Sequence, residues 1–187
     1  VYKSGVRMSL RFYDRLTYLY NDFDPTGLNP NNPIPGGQNY KYTSVKFSYQ
    51  SDSRKSLNFR IEPDFGQFYT GMKYSIENTV NWRIQPFMNT SISLNYDHID
   101  LGDDFSSENL WLIRPKIDFT FTKNVFWTSY VQFSSQSENL GINSRFQWRF
   151  APLSDLYIVY NDNYFTNNSF APRLRSLNLK LTYWLNI

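Results

Sequence analysis

The only histidine of the chain stands among carboxylates. The segment YDHIDLGDD, residues 96–104, places His98 between Asp97 and Asp100, and Asp103 and Asp104 follow closely. A histidine held beside a carboxylate can act as a general base that activates water. A hydrolytic site needs such groups on two opposing walls, whereas these residues share one segment. The pattern therefore favours a solvated acidic loop, and a rim hydrolase using His98 is the enzymatic alternative.

The same acidic segment offers oxygen ligands for calcium. The candidate ligands are Asp97, Asp100, Asp103 and Asp104. Calcium takes about six to eight oxygen atoms, and the segment does not follow the spacing of an EF-hand loop. Plain solvation of these carboxylates is the alternative interpretation.

A further group of residues carries both signs of charge within alternating segments. It consists of Lys73, Glu77, Arg83, Lys116, Asp118, Arg145 and Arg149. If these side chains point to the interior of a barrel, they could line an aqueous pore. They could equally form a hydrogen-bonded network that ties neighbouring strands together in a filled interior.

Several other classes of chemistry lack the residues that they require. The chain has no Cys, which excludes disulfides and cysteine metal sites. It has no glycine-rich phosphate loop and, despite a net charge of +3, no basic stripe that would follow nucleic acid. We therefore expect no cofactor and no nucleic-acid partner.

The elements that would carry these residues are strands. Phe, Tyr and Trp make up 19% of the 187 residues and Ala is scarce, a composition that favours strands over helices. A mean hydropathy of −0.55, without a long apolar run, excludes a helical membrane protein. Alternation of apolar and polar residues predicts about ten strands. Their approximate ranges are 4–20, 40–50, 56–64, 72–84, 87–97, 109–121, 124–134, 141–150, 156–162 and 174–187.

The connections between the predicted strands alternate in length. Short ones are 51–56, 85–87, 122–124 and 151–155, and long ones are 21–39, 97–109, 134–141 and 162–173. The segment 66–71 is compact although it takes a long-loop position. Short turns at one end of a sheet and long loops at the other are typical of outer-membrane barrels.

The distribution of Trp and of charge supports this interpretation. Trp82, Trp127, Trp148 and Trp184 lie within a few residues of a short turn, as in an aromatic girdle at a bilayer boundary. The long loops collect acidic residues, and the short turns collect basic ones. A soluble sandwich, with the apolar side chains in a dry core, is the alternative that alternation alone leaves open.

Several segments resemble a known family. YKYTSVKFSYQSDSRKSL, GQFYTGMKYSI, NSRFQWRFAPLSDLYIVYNDN and LNLKLTYWLNI are similar to the C-terminal region of large outer-membrane proteins from Bacteroidota. The barrel of that family is known as a domain of unknown function and usually follows a carbohydrate-binding module of the family-nine type. The resemblance covers residues 6 to 187 and includes no part of that module. It implies that this chain is the C-terminal part of a larger barrel.

Together these observations predict an all-β fold, an antiparallel up-and-down transmembrane β-barrel, with residues 1–187 as one outer-membrane barrel domain. We expect a non-enzymatic structural or pore-like subunit of an envelope assembly in the bacterial outer membrane. Its expected partners are outer-membrane lipid, lipopolysaccharide and proteins of that assembly. The alternative is a barrel that anchors or conducts a glycan, which the missing N-terminal module would capture.

Overall fold

The computed structural model describes residues 5–102, 105, 107–167 and 170–185, and in these residues it contains strands and no helix. The strands are β1 (Arg7–Leu19), β2 (Gln38–Gln50), β3 (Leu57–Phe68), β4 (Gly71–Ile84), β5 (Met88–Asp100), β6 (Ser107–Thr122), β7 (Val125–Ser134), β8 (Asn139–Ala151), β9 (Ser154–Phe165) and β10 (Ala171–Thr182). Each overlaps one of the ten predicted strands, so the predicted all-β class and strand count are confirmed.

The ten strands form one up-and-down antiparallel sheet in which each strand pairs with the next along the chain. The strand order begins with β1 and ends with β10. Within the described residues, these two outer strands therefore have one paired edge each. The chain divides into two compact units, Val1–Thr79 with Ser93–Leu112, and Val80–Ile92 with Ile113–Ile187. We call them unit 1 and unit 2.

Most of the predicted long loops are shorter than expected. The β1–β2 connection remains long at residues 20–37, but β5 continues to Asp100 and β9 continues to Phe165. The β7–β8 and β9–β10 connections shrink to residues 135–138 and 166–170. Near their ends these strands carry polar side chains on both faces. Alternation of apolar and polar residues, on which the prediction depends, therefore stops before the strand does.

In unit 1 the register of β1, β2 and β3 separates two kinds of side chain. Met8 pairs with Tyr49, which pairs with Ile61. The neighbouring row on the other face is formed by Arg11, Lys46 and Asp64. Because successive residues of a strand point to opposite faces, unit 1 has an apolar face and a polar face.

Unit 2 is built in the same way by β7, β8, β9 and β10. One face carries the row Trp127, Phe146, Ile158 and Leu179. The other carries the row Tyr130, Asn143, Asn161 and Ser176. The alternation recognised in the sequence is therefore expressed as aligned rows across neighbouring strands, and unit 2 also has an apolar face and a polar face.

The apolar side chains are the exposed ones. In β4 the apolar positions from Met72 to Ile84 are 38 to 49% exposed, whereas Lys73, Ser75 and Arg83 between them are half-buried. Across the described residues, 35 large apolar side chains are exposed and six apolar residues are buried. A soluble sheet shows the reverse, since its apolar face packs against a core.

The six buried apolar residues form one cluster in unit 1, at the end of the strands where the β1–β2 connection lies. The cluster contains Ile34, Tyr40, Tyr42, Ile99, Leu101 and Leu110. Tyr40 and Tyr42 are separated from Lys46 by even steps along β2 and therefore lie on the polar face. Among the described residues, the only cluster of buried apolar side chains therefore lies on the polar face.

The close approach of β4 to the end of β5 requires a glycine at position 71. A Cβ there would lie 1.9 Å from the Asp100 carbonyl oxygen and 2.6 Å from the Leu101 Cα. We expect Gly71→Ala to lower the free energy of unfolding by about 1–3 kcal/mol, because backbone must move to admit the methyl group. Urea unfolding of the folded protein would measure this loss.

Gly141→Ala is the matched control, since a Cβ at that position meets its nearest atoms at 3.8 to 4.0 Å. It should be neutral or slightly stabilising, because glycine weakens a strand. An equal loss in both variants would show that the contact at Gly71 is not the cause.

Candidate functional site

The seven predicted lumen residues are the starting point for a functional site. In unit 1, Lys73 Nζ lies 3.1 Å from Asp97 Oδ1, and Lys46 Nζ lies 3.4 Å from Glu77 Oε1. Both pairs join side chains of the polar face, because Lys73 and Glu77 are four residues apart on β4. The polar face of unit 1 is therefore a surface of paired opposite charges.

The polar face of unit 2 holds the other five predicted residues, Arg83, Lys116, Asp118, Arg145 and Arg149. Asp118 accepts a hydrogen bond from the Thr128 hydroxyl at 2.9 Å and lies 2.9 Å from Lys116 Nζ. Arg149 Nε lies 3.5 Å from Asp155 Oδ1, which also accepts from Gln147 Nε2 at 3.0 Å. Partly exposed pairs of this kind contribute about 0–1 kcal/mol each, so their main effect is to orient side chains.

The predicted calcium ligands are not gathered by the described part of the structure. Asp97 pairs with Lys73, and Asp100 Oδ1 accepts the Gly102 amide at 3.0 Å. Asp103 and Asp104 lie outside the described residues. Within the described ranges, no group of three or more His, Cys, Asp or Glu side chains could hold a metal ion. Calcium binding by this segment stays a prediction.

His98 lies on the opposite face from Asp97, because the two are neighbours in β5. Its Nδ1 is 3.0 Å from Asn109 Oδ1, which also accepts the Tyr96 hydroxyl at 2.7 Å. The Tyr96 ring lies 4.4 Å from the Trp111 ring, centroid to centroid. The described surroundings of His98 are thus an aromatic and amide group on the apolar face. A catalytic pair of His98 and Asp97 would require both side chains on the same face of the sheet.

The β1–β2 connection, residues 20–37, is a feature that the sequence reasoning missed. We call it the loop cap. Ile34 and Thr26 are fully buried, and a two-residue bridge joins Phe23 to Ile34 with N–O distances of 3.0 and 2.9 Å. The Tyr40 hydroxyl donates to the Pro35 carbonyl at 2.7 Å. The loop cap therefore folds onto the polar face of unit 1.

One carboxylate organises the first turn of the loop cap. Asp24 Oδ1 accepts the Thr26 amide at 2.8 Å and the Thr26 hydroxyl at 2.6 Å, and Oδ2 accepts the Asn29 amide at 2.7 Å. Burial raises the pKa of Asp24, but these hydrogen bonds outweigh it and hold the pKa below the ordinary value of 3.8. The ionised carboxylate therefore stabilises the folded loop cap.

Aromatic rings fill the space between the loop cap and the strands. The Tyr69 ring lies 5.2 Å from Tyr42, 5.5 Å from Tyr40 and 5.9 Å from Phe23, centroid to centroid. Burial and the neighbouring Tyr42 raise the pKa of Tyr69. The Tyr69 phenol is therefore neutral at physiological pH and packs as an uncharged ring. Phe23 and Ile34, apolar residues within a Pro- and Asn-rich loop, were the sequence signal for this packing.

Unit 2 has a charged group on its apolar face. Asp162 was predicted to begin a loop, but it lies in β9, paired with Arg175 of β10. Its carboxylate accepts hydrogen bonds from the hydroxyls of Tyr160 and Tyr164 and from Arg175 Nε, the last at 2.9 Å. Asp162 is 3% exposed. A buried carboxylate persists only when it is paired and hydrogen-bonded in this way.

The state of the loop cap should depend on the ionisation of Asp24. Since folding lowers the pKa of Asp24, its contribution is complete above pH 3.8 and is lost as the pH falls through the lowered value. We expect Asp24→Asn to weaken protection of the Thr26 and Asn29 amides by about tenfold at neutral pH, since a charged acceptor is lost. Amide hydrogen exchange would measure this.

Acid should reproduce the effect in the unmodified protein. Pepsin should cut within residues 20–37 only as the pH falls below 3.8, whereas Asp24→Asn should be cut throughout the range in which pepsin is active. Asp14→Asn serves as the control, because that carboxylate is 61% exposed on β1. If Asp14→Asn behaves like Asp24→Asn, the loop cap does not depend on the Asp24 hydrogen bonds.

Comparison with known proteins supplies no relative from which a function could be transferred. No family model matches the chain, and neither a curated protein nor a solved structure matches it. Among the described residues, no helix is long and apolar enough to cross a membrane. The resemblance to the Bacteroidota barrel family stays a prediction, and the function must be inferred from the two faces of the sheet.

Proposed function

We propose that the chain is part of an integral outer-membrane β-barrel, with its apolar face against lipid and its polar face towards an aqueous interior. The exposure of the apolar side chains carries this proposal. Soluble monomers rarely expose a continuous apolar patch larger than a few hundred Å². Here Met8 and Ile61 on the apolar face of unit 1, and Leu177, Leu179 and Leu181 on that of unit 2, are 39 to 70% exposed.

Strand length supports a membrane environment. The strands contain 10 to 16 residues, whereas strands in globular proteins average about 5–6. A tilted strand needs about 9–11 residues to cross the hydrocarbon core. Trp82, Trp127, Trp148 and Trp184 lie at the turn ends of their strands or just beyond them, where an aromatic girdle would meet the lipid headgroups.

The proposed membrane environment requires a partner for each of the two outer strands. An unpaired strand edge is not tolerated in hydrocarbon, because no water is present to satisfy its backbone groups. In the proposed environment, β1 and β10 must therefore pair, either with each other or with strands outside these residues. The resemblance to a family of larger barrels favours additional strands.

The loop cap favours a structural subunit of an envelope assembly over an open pore. It covers the polar face of unit 1 with Ile34, fully buried among Tyr40, Tyr42 and Leu110. Part of the remaining polar face carries charge pairs, such as Lys73 with Asp97. An interior that is capped and carries such pairs should conduct poorly, whereas a pore leaves its lining groups to water and ions.

The membrane proposal predicts opposite outcomes for two adjacent positions of β4. Ile76 lies near the middle of β4 on the apolar face, and Ser75 lies beside it on the polar face. In lipid vesicles, Ile76→Lys should lower the free energy of unfolding of the full-length protein by about 2–4 kcal/mol, as expected for a lysine at the bilayer midplane. Ser75→Lys should change it far less.

If this face met water, Ile76→Lys would not be the more destabilising of the two variants. Ile76 is already 40% exposed, and a lysine on a water-facing surface changes the stability little. Equal stability of the two variants in vesicles would therefore refute the proposal that the apolar face contacts lipid. Recovery of the unmodified full-length protein in the aqueous fraction after carbonate washing of membranes would do the same.

The choice between subunit and pore is tested by conductance. The full-length protein in planar bilayers should be silent, and Ile34→Asp should produce channel openings, because a buried carboxylate would expel the loop cap. Leu28→Asp is the matched control, since Leu28 belongs to the same loop but is 37% exposed. Steady conductance by the unmodified protein would replace the structural role with that of a pore.

A further inference from the structure

A hollow lined by amide side chains lies on the polar face of unit 2. It has a volume of about 400 Å³, within the range of about 300–1,000 Å³ that small-molecule sites occupy. We call it the amide hollow. Besides Ile142, Asp162 and Leu174, its lining consists of polar side chains around Gly141, namely those of Tyr130, Gln132, Asn139, Asn143, Asn161 and Asn163.

The strand register builds this hollow around a missing side chain. Gly141 of β8 pairs with Gln132 on one side and with Asn163 on the other. One row further along, Asn143 pairs with Tyr130 and Asn161. All these positions share one face. Since Gly141 has no side chain, the bottom of the hollow is backbone, and the surrounding amide side chains and the Tyr130 phenol form its walls.

Part of the wall is held in place by internal hydrogen bonds. The Tyr130 hydroxyl donates to Gln132 Oε1 at 2.8 Å, and Asn143 Nδ2 donates to Asn161 Oδ1. Asn161 Nδ2 in turn donates to Ser176 Oγ at 3.2 Å. Side chains fixed in this way lose little conformational entropy when a ligand binds.

The other two amides are not satisfied by this network. Asn139 Oδ1 and Asn163 Oδ1 are shut off from solvent and have no hydrogen-bond partner among the described residues. Their Nδ2 atoms lie 3.8 and 3.9 Å from the position that a Cβ on Gly141 would take. Each unsatisfied buried amide oxygen costs about 1–3 kcal/mol. Rotation of these two amides towards a ligand in the hollow would give the oxygens a partner and remove this cost.

The chemistry of the lining defines the class of ligand. An amide offers both donors and acceptors, as a hydroxyl group does, and the lining residues include no Lys or Arg. Asp162 also borders the hollow, but its carboxylate lies on the opposite, apolar face, where Arg175, Tyr160 and Tyr164 bind it. The ring of Tyr130 provides an apolar surface beside these groups. The site therefore suits a neutral molecule with several hydroxyl groups.

We propose that the amide hollow binds a neutral sugar unit of an oligosaccharide. The inference rests on the proposed function in one respect, namely that the polar face is open to water. It adds a ligand class to that face, so that the barrel interior would contact a glycan directly through β7, β8 and β9. Sugar recognition would then not require a separate module.

The test is binding of neutral oligosaccharides to the full-length protein in a zwitterionic detergent without a sugar headgroup. The probes are maltohexaose, cellohexaose and mannohexaose, with hexagalacturonate as a charged comparison, followed by saturation-transfer NMR and calorimetry. At least one neutral probe should bind, in preference to the charged one. Gly141→Val should raise its Kd by about tenfold or more, because the valine occupies the hollow and displaces hydrogen bonds to the ligand.

Gly141→Val is a suitable variant because a Cβ at this position makes ordinary contacts of 3.8 to 4.0 Å, and valine favours strands. Asn163→Leu is the second variant. Its matched control is Asn95→Leu, a half-buried asparagine in β5 that does not line the hollow. Asn163→Leu should weaken binding, and Asn95→Leu should leave the Kd unchanged.

Three results would overturn the proposal: no binding of any neutral probe, tighter binding of hexagalacturonate, or unchanged Kd in both Gly141→Val and Asn163→Leu. Failure here is distinguishable from failure of the membrane proposal. A protein that stays in carbonate-washed membranes but binds no sugar would refute the ligand alone, and one that binds sugar but is recovered in the aqueous fraction would refute the barrel.

Discussion

Alternation of side chains along a hydrogen-bonded ladder is the constraint on which the rest of this structure depends. The ladder satisfies the backbone donors and acceptors of each paired edge, so the two faces are free to differ completely. Rows such as Trp127–Phe146–Ile158 on one face and Tyr130–Asn143–Asn161 on the other follow directly from the register. A slip of one residue in the strand register would move every side chain of a strand to the opposite face. The proposed function therefore depends on the register.

The polar face needs its own sources of order, because most of its side chains are polar and only one end of it carries hydrophobic packing. Two devices supply it in unit 1. Charged pairs such as Lys73 with Asp97 connect side chains on neighbouring strands, and the loop cap brings Ile34 into a dry contact with Tyr40 and Tyr42. The first device is weak for each pair. The second buries large side chains and is the stronger contribution.

The sequence predicts the strands well because period-two alternation is a local property. It predicts the loops poorly where that property ends. The segment from Asp97 to Asp100 is predicted as a loop because alternation weakens there, yet it belongs to β5. The loop predicted from Asp162 onwards has the same origin, although Asp162 lies in β9 and pairs with Arg175 of β10, thirteen residues later along the chain. The amide hollow depends on contacts between strands, and the packing of the loop cap depends on contacts between a loop and strands, so alternation along a single segment predicts neither of them.

The polar groups on the apolar faces mark where the rows of apolar side chains end and hydrogen-bonded polar side chains begin. In unit 1, His98 shares Asn109 with Tyr96 at the loop end of β5. In unit 2, β9 presents Leu156, Ile158 and Tyr160 before it reaches Asp162. If these faces meet lipid, a carboxylate cannot lie in hydrocarbon unless it is paired, and the three donors on Asp162 meet that requirement at a position close to the headgroups. The exposed guanidinium of Arg175 would then face the anionic surface, and the boundary of the hydrocarbon would lie at Asp162 rather than at the end of the strand.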